Sequence, residues 1–299
     1  MTLLNTTNDG LPNVLTVVCK AVALEGPIET KKLAEICSTR EDNSEDQIRK
    51  TLLRWTQLGL FSDSDEKVSF SVTAGEKLGR RATPEIVVMK LPSIVRALIF
   101  KKENNENFWD SKKSRASDLN RALAWILAQD IYSFPLNQAQ ESETVEANQI
   151  NDPKKRILQN YTRFNGLRMW ARFLGFTWES KETIVDPTQA IKDECIGLFE
   201  KGRDYQAGDF IRSLAARIPV LDGGTYRQNV EEILDPKHWQ KPSLEQMLST
   251  SLSRALWRLE LAGIIEFDSR ADTHSNLVVQ RQHGQELNSF THVVYRGGK

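Results

Sequence analysis

Three times along the chain, apolar residues at helical spacing end in Leu-Gly or Ala-Gly and give way to a short apolar strand. The places are Leu58-Gly59-Leu60-Phe61, Leu174-Gly175-Phe176 and Ala262-Gly263-Ile264-Ile265. Leu52, Arg54, Gly59 and Leu60 recur as Leu256, Arg258, Gly263 and Ile264, a constant spacing of 204 positions. A Gly after a helix accepts the left-handed conformation that a Cβ makes costly. A long helix, a Gly cap and a hairpin form the second half of a winged helix, so the pattern predicts an internal repeat of that fold.

The stripe Leu15, Val18 and Val22 predicts a helix over 13–24 opened by Pro12, and Leu33 with Ile36 marks a second over 29–37. A polar turn spans 38–43. Ser44 is expected to cap a third helix, with Gln47 in the capping-box position and Ile48, Leu52 and Trp55 on its buried face. The wing follows as Leu60-Phe61, a charged turn and the alternating strand 68–71.

In the middle of the chain, 91–101 and 118–129 read as helices. The polar stretch 137–152 reads as a mobile loop, since it has little to bury. Pro153 is expected to start a helix running to Leu174, with Asn165-Gly166 as a candidate bend and a second wing at 176–185. Asp186-Pro187-Thr188 predicts the cap of a helix to about residue 200. Further helices are expected at 209–217 and 243–262, and strands at 264–267, 277–280 and 290–295. The fold class is thus mainly α with small β wings. Its three tandem winged-helix-like units would cover 1–85, 86–185 and 186–299.

Charge changes the picture only locally. The 299 residues hold 40 Lys and Arg against 40 Asp and Glu, so no global field draws the chain onto DNA or a membrane. Between Pro153 and Trp178, however, Lys154, Lys155, Arg156, Arg163, Arg168 and Arg172 occur among six aromatic residues without one acidic neighbour. Cations that neutralise phosphates beside rings that stack on bases suit nucleic acid, although the same pattern fits an amphipathic core helix with solvated charges. On the last long helix Thr250, Arg254 and Trp257 are expected opposite the buried stripe, with Arg258 beside them. Arg254 and Arg258 therefore form a second candidate DNA surface. The first long helix, crowded by Glu41, Asp42, Glu45 and Asp46 with Lys50 and Arg54 pointing outward, suits a protein-facing or structural role.

Catalytic signals are weak. No phosphate-binding loop occurs, and Gly223-Gly224 lacks the lysine of one. His238, His274, His283 and His292 are scattered and without paired cysteines, so no zinc or other metal site and no cofactor is expected. Glu179-Ser180-Lys181 matches the Glu-x-Lys fragment of metal-dependent nucleases, and keeps that alternative open. The three cysteines, Cys19, Cys37 and Cys195, suit a reducing compartment. No apolar run approaches a membrane span, and Met1-Thr2-Leu3-Leu4-Asn5 does not resemble a signal peptide, so a cytoplasmic location is expected.

Four phrases carry a family resemblance. They are Leu3-Leu4-Asn5 with Asn8-Asp9-Gly10-Leu11-Pro12, Trp170-Ala171-Arg172-Phe173-Leu174-Gly175-Phe176, Asp186-Pro187-Thr188-Gln189-Ala190-Ile191, and the run from Pro219 to Arg227. With these the chain resembles DpdG, an accessory family of bacterial gene clusters that place 7-deazaguanine derivatives in DNA and restrict unmodified DNA. The resemblance implies a cytoplasmic protein working beside helicases and a transglycosylase-like enzyme. It implies no residue-level activity. The expected function is a non-catalytic DNA-binding or scaffold subunit of such a defence system, with a nuclease or a transcription regulator as alternatives.

Overall fold

The computed structural model describes residues 3–4, 11–39, 44–64, 66–79, 82–110, 114–201, 203–242, 246–271, 276–282 and 285–297. The first part of the chain holds α1 (Pro12–Glu25), β1 (Ile28–Glu29), α2 (Thr30–Cys37), α3 (Ser44–Gln57), β2 (Phe61–Ser64), β3 (Lys67–Phe70), α4 (Val72–Leu78) and α5 (Pro84–Ile99). Next come α6 (Ser117–Ala128), α7 (Ala139–Gln149), α8 (Tyr161–Phe173), β4 (Thr177–Glu179) and β5 (Thr183–Val185). The last part holds α9 (Thr188–Leu198), β6 (Asp204–Gln206), α10 (Ala207–Arg217), α11 (Thr225–Glu231) and α12 (Thr250–Leu261). It closes with β7 (Ile265–Asp268), β8 (Leu277–Gln280), β9 (Glu286–Phe290) and β10 (His292–Tyr295). Mainly α with small antiparallel sheets is therefore the architecture.

The chain packs as two compact units. One comprises Met1–Asp118 with Asn165–Leu174, the other Leu119–Phe164 with Gly175–Lys299. The sequence boundaries near 85 and 186 fall inside the first and the second unit respectively.

In the first unit α1, α2 and α3 pack on one another, and α1 and α4 pack on α5. The three-stranded sheet has the order β1-β3-β2, with Ile28 opposite Val68 and Phe61 opposite Phe70. Ile48, Leu52 and Trp55 are buried as their spacing requires, and the Trp55 ring lies 5.5 Å from that of Trp170. Ser44 is already the first helical residue of α3. Its hydroxyl accepts from the Thr39 N–H at 3.1 Å and donates to the Thr39 carbonyl at 2.9 Å. Residues 40–43, with Glu41 and Asp42, lie outside the described residues. Arg54 does not point outward: it is buried at 6 % exposure.

Two features close this unit. The Asp118 carboxylate accepts the N–H groups of Leu3 and Leu4 at 3.1 and 2.7 Å, seating two fully buried leucines. Arg96, itself buried, donates to the Leu174 carbonyl at 2.7 Å and satisfies one of the acceptors that the end of α8 leaves open. α8 runs through Asn165-Gly166, and Gly166 lets the Leu4 backbone approach, since a Cβ there would lie 3.4 Å from the Leu4 oxygen.

In the second unit α6 is buried from Leu119 to Ala128. The stretch 137–152, expected as a loop, instead forms α7. Its buried face is Ser142, Glu146 and Gln149, so it carries no apolar periodicity. Polar contacts replace it: the Trp125 indole donates to Gln149 at 2.9 Å, and Gln149 donates to Gln129 at 2.8 Å. The helix expected from Pro153 is also corrected. Pro153–Lys155 is a single 3-10 turn, and α8 begins only at Tyr161. Likewise α12 starts at Thr250, capped by the Ser249 hydroxyl; residues 243–245 lie outside the described residues, and Leu248 is buried but extended. The strand expected over 290–295 is two strands, β9 and β10, meeting at Thr291.

The first and third Gly-capped turns are built with the same bonds. Leu60 N–H reaches the Trp55 carbonyl at 2.8 Å, and Ile264 N–H reaches that of Leu259 at 3.0 Å. Gly59, Gly175 and Gly263 hold φ of 92, 79 and 66°, the left-handed region. Beyond each turn the returning strand or loop bonds back: Ser71 to Leu60 at 2.9 Å, Asp186 to Phe176 at 2.9 Å and Arg296 to Ile264 at 2.8 Å. The C-terminal sheet, β6-β10-β7, repeats the N-terminal order β1-β3-β2: first strand, last strand, middle strand. The middle copy keeps only the hairpin β4–β5. The C-terminal copy inserts a second hairpin, β8–β9, between β7 and β10.

Candidate nucleic-acid interface

The inserted hairpin lies against α12. The Gln280 N–H donates to the Ser253 hydroxyl at 3.0 Å, and the N–H groups of Leu248 and Val278 bond the chain across the start of β8 at 3.0 Å each. A groove of about 530 Å³ results. Ser253, Arg254, Trp257, Arg258 and Leu261 form its helical wall, because residues three, four and seven apart share a helix face. Gln280, Arg281, Gln282, Gln285 and Leu287 form the hairpin wall, and Tyr132 completes the lining. None of these groups is acidic.

The two helical arginines are held in place by Asp186. Its Oδ2 accepts from Arg254 Nε at 3.4 Å and from Arg258 Nη1, while its Oδ1 accepts from the Thr188 N–H at 3.1 Å and from the Thr188 hydroxyl. The Asp186 side chain is 2 % exposed, whereas those of Arg254 and Arg258 keep 31 % and 40 %. The Arg258 guanidinium also sits 5.9 Å from the centre of the Trp178 ring. A single buried carboxylate thus fixes two half-exposed cations that form one wall of the groove. Thr250 is not part of this face. It is buried, accepts the Ile131 N–H at 3.1 Å and reaches the Gln129 carbonyl at 3.3 Å.

The cations before and along α8 differ in exposure. Lys154 is exposed and Lys155 half-buried on the 3-10 turn, and Arg156 donates to the Ile150 carbonyl at 3.4 Å. Arg163 is 3 % exposed and turns inward. Its charge and that of Arg156 bear on Glu146, whose carboxylate also accepts the Leu158 N–H at 2.9 Å and that of Ile157. Burial outweighs these favourable contacts and pushes Glu146 up to about 7. Arg168 is half-buried and Arg172 exposed, and both belong to the first unit while the other four belong to the second.

Glu179 and Lys181 are exposed at and beyond the end of β4. Among the described residues no group of three His, Cys, Asp or Glu is arranged to hold a metal ion. His238 follows the turn at Asp235, and His292 is buried beside the Thr291 hydroxyl at 3.0 Å; His274 and His283 lie outside the described residues. Burial raises the Cys19 thiol and pushes that of Cys195 up to about 12, which makes both poor nucleophiles at neutral pH.

Described residues in the phrases that carried the family resemblance act as structural staples. Trp170 fills the core of the first unit, and Asp186 caps α9 and anchors the groove arginines. Asp222 accepts both the N–H and the hydroxyl of Ser249 at 2.6 Å, fixing the start of α12. The profile of the DpdG-like family matches residues 1–273. The chain belongs to the DpdG-like family. Membership ties it to the Dpd modification system, in keeping with a role in DNA modification and defence. The match takes in α12 and β7, and ends before the β8–β9 hairpin that forms the other wall of the groove. No curated protein and no solved structure matches the chain. Among the described residues no helix is long and apolar enough to cross a membrane.

Proposed function

We propose that this DpdG-like protein is a non-catalytic DNA-binding or scaffold subunit of a bacterial DNA-modification and phage-defence system. Its first and third repeats are read as winged helices. The observation that carries the reading is the groove beside α12, where Arg254, Arg258 and Arg281 stand with Trp257 and, among the described residues, no lining carboxylate. Cations of this kind contact phosphates, and their clustering in an otherwise neutral chain localises the attraction. Arg168 and Arg172 offer a further contact in the first unit. The buried thiols of Cys19 and Cys195 and the exposed positions of Glu179 and Lys181 support a role without chemistry of its own.

A second reading, docking of other system proteins such as a helicase, draws support from the first repeat. There the charges on α3 are paired along the helix, Lys50 with Asp46 at 2.6 Å and Arg49 with Glu45 at 3.7 Å, and Leu53 is 55 % exposed. Fluorescence anisotropy with labelled DNA at rising salt tests the leading reading. Binding should weaken steadily with salt, and Arg168→Ala/Arg172→Ala should weaken it across all sequences. Absence of salt-dependent binding would leave the docking role alone. Magnesium-dependent cleavage that disappears in Glu179→Ala would overturn the non-catalytic assignment.

A further inference from the structure

We infer that the groove between α12 and the β8–β9 hairpin takes single-stranded DNA, with a base against Trp257 and phosphates toward Arg254, Arg258 and Arg281. The inference rests on the DNA-binding reading above and narrows it to one kind of strand.

The first argument is steric. A helix that reads duplex DNA must stand free enough to enter a major groove about 12 Å wide. In α12 every residue except Leu261 is buried or half-buried, and the hairpin is fastened to the helix through Ser253 and Gln280. The insertion that creates the groove therefore covers the helix that would otherwise enter a duplex. What remains is a concavity of about 530 Å³, a shape that accepts an unstacked base rather than a paired one.

The second argument is chemical. Trp257 is half-buried in the groove wall and Tyr132 is 37 % exposed at the lining, which supplies aromatic faces for stacking. Asp186 pairs with Arg254 and Arg258, while Arg281 stands on the hairpin wall, so the described lining holds three guanidinia and no acidic group. Gln282 and Gln285 are exposed at the hairpin end, and each amide offers both donor and acceptor to a base edge. Stacking faces beside a cationic track, with few fixed base contacts, is the physical recipe for binding a single strand with little sequence preference.

The test uses the full chain and three labelled probes of about 12 nucleotides: oligothymidylate, a DNA duplex and oligouridylate. Oligothymidylate should bind most tightly. Arg281→Glu, on an exposed residue, should weaken it at least about tenfold, and Trp257→Ala by a similar factor, since a base–ring stack is of that size. Trp257→Tyr keeps a ring and should retain most of the affinity, which separates lost stacking from lost folding. A duplex bound as tightly as the single strand, or unchanged binding by Arg281→Glu, would overturn the groove assignment and leave DNA binding standing elsewhere. Preference for oligouridylate would overturn DNA as the ligand. Failure of all three probes would sink both the groove and the DNA-binding reading.

Discussion

The first and third repeats have the same skeleton and opposite surfaces. Arg54 and Arg258 occupy the same place in the repeat, yet Arg54 is buried at 6 % exposure and Arg258 holds 40 % of its side chain open in a groove wall. Leu53 and Trp257 are likewise equivalent; the first projects into solvent and the second is half-covered by the inserted hairpin. In the first repeat only two residues separate β2 from β3, and α3 bears charges that pair along its own length. In the third, the chain between β7 and β10 grows into β8–β9 and converts a helix face into a cleft. The skeleton is set by the Gly-capped turn and the sheet order. The surfaces differ in what is inserted between the strands.

The largest effect should come from removing the core anchors that the two repeats share. Trp55→Ala, at a fully buried ring beside Trp170, should cost about 3–5 kcal/mol in chemical denaturation, and Leu259→Ala at the equivalent position about 2–5 kcal/mol. A loss under about 1 kcal/mol at either site would break the equivalence of the two repeats.

The middle copy sharpens the comparison, because its long helix is preceded by a buried carboxylate rather than a polar turn. Glu146 is raised from 4.5 to about 7, so the folded state holds a proton that the unfolded chain releases. Its contribution to stability is complete below the unfolded value and is lost as pH rises through the folded one. Unfolding free energy should therefore fall by up to about 3 kcal/mol between about pH 5 and pH 8, and Glu146→Gln should flatten that slope. A slope unchanged in Glu146→Gln would remove the carboxylate as its source.

The three capping glycines should rank by surroundings. A Cβ at Gly175 would meet the Ala190 nitrogen at 3.0 Å and Gln189 Cβ at 3.1 Å, whereas Gly263 has nothing within 4 Å and Gly59 only Leu98 at 3.7 Å. Gly59→Ala and Gly263→Ala should each cost about 1–2 kcal/mol for the left-handed backbone alone, and Gly175→Ala clearly more. Equal losses in thermal unfolding would show that the surroundings do not matter. The smallest effect is expected at Lys50→Ala. An exposed helical pair with Asp46 contributes less than about 0.5 kcal/mol, and DNA affinity should not change if the third repeat alone carries it.

Much of this fold was legible in the chain. Leu52, Trp55 and Gly59, with their echo at Leu256, Leu259 and Gly263, carry local information: an apolar stripe fixes which helix face is buried, and a glycine fixes where the helix ends. The helix α7 was not legible, because Ser142, Glu146 and Gln149 are buried through hydrogen bonds to residues outside the helix, and polar burial leaves no apolar period. The start of α8 was hidden for the same reason. Arg163 reads as a candidate phosphate ligand until its neighbour Glu146 is seen.

The sequence by itself therefore determined the repeated helix–glycine–hairpin turns, the mainly helical class and the family, since each rests on residues close together or on phrases kept in order. Only the tertiary structure decided which cations face outward. That choice belongs to Asp186, which holds Arg254 and Arg258, and to β8–β9, which brings Arg281 opposite them. Those partners lie tens of residues apart, and charge exposure is settled by where the chain closes on itself rather than by the spacing of the charges.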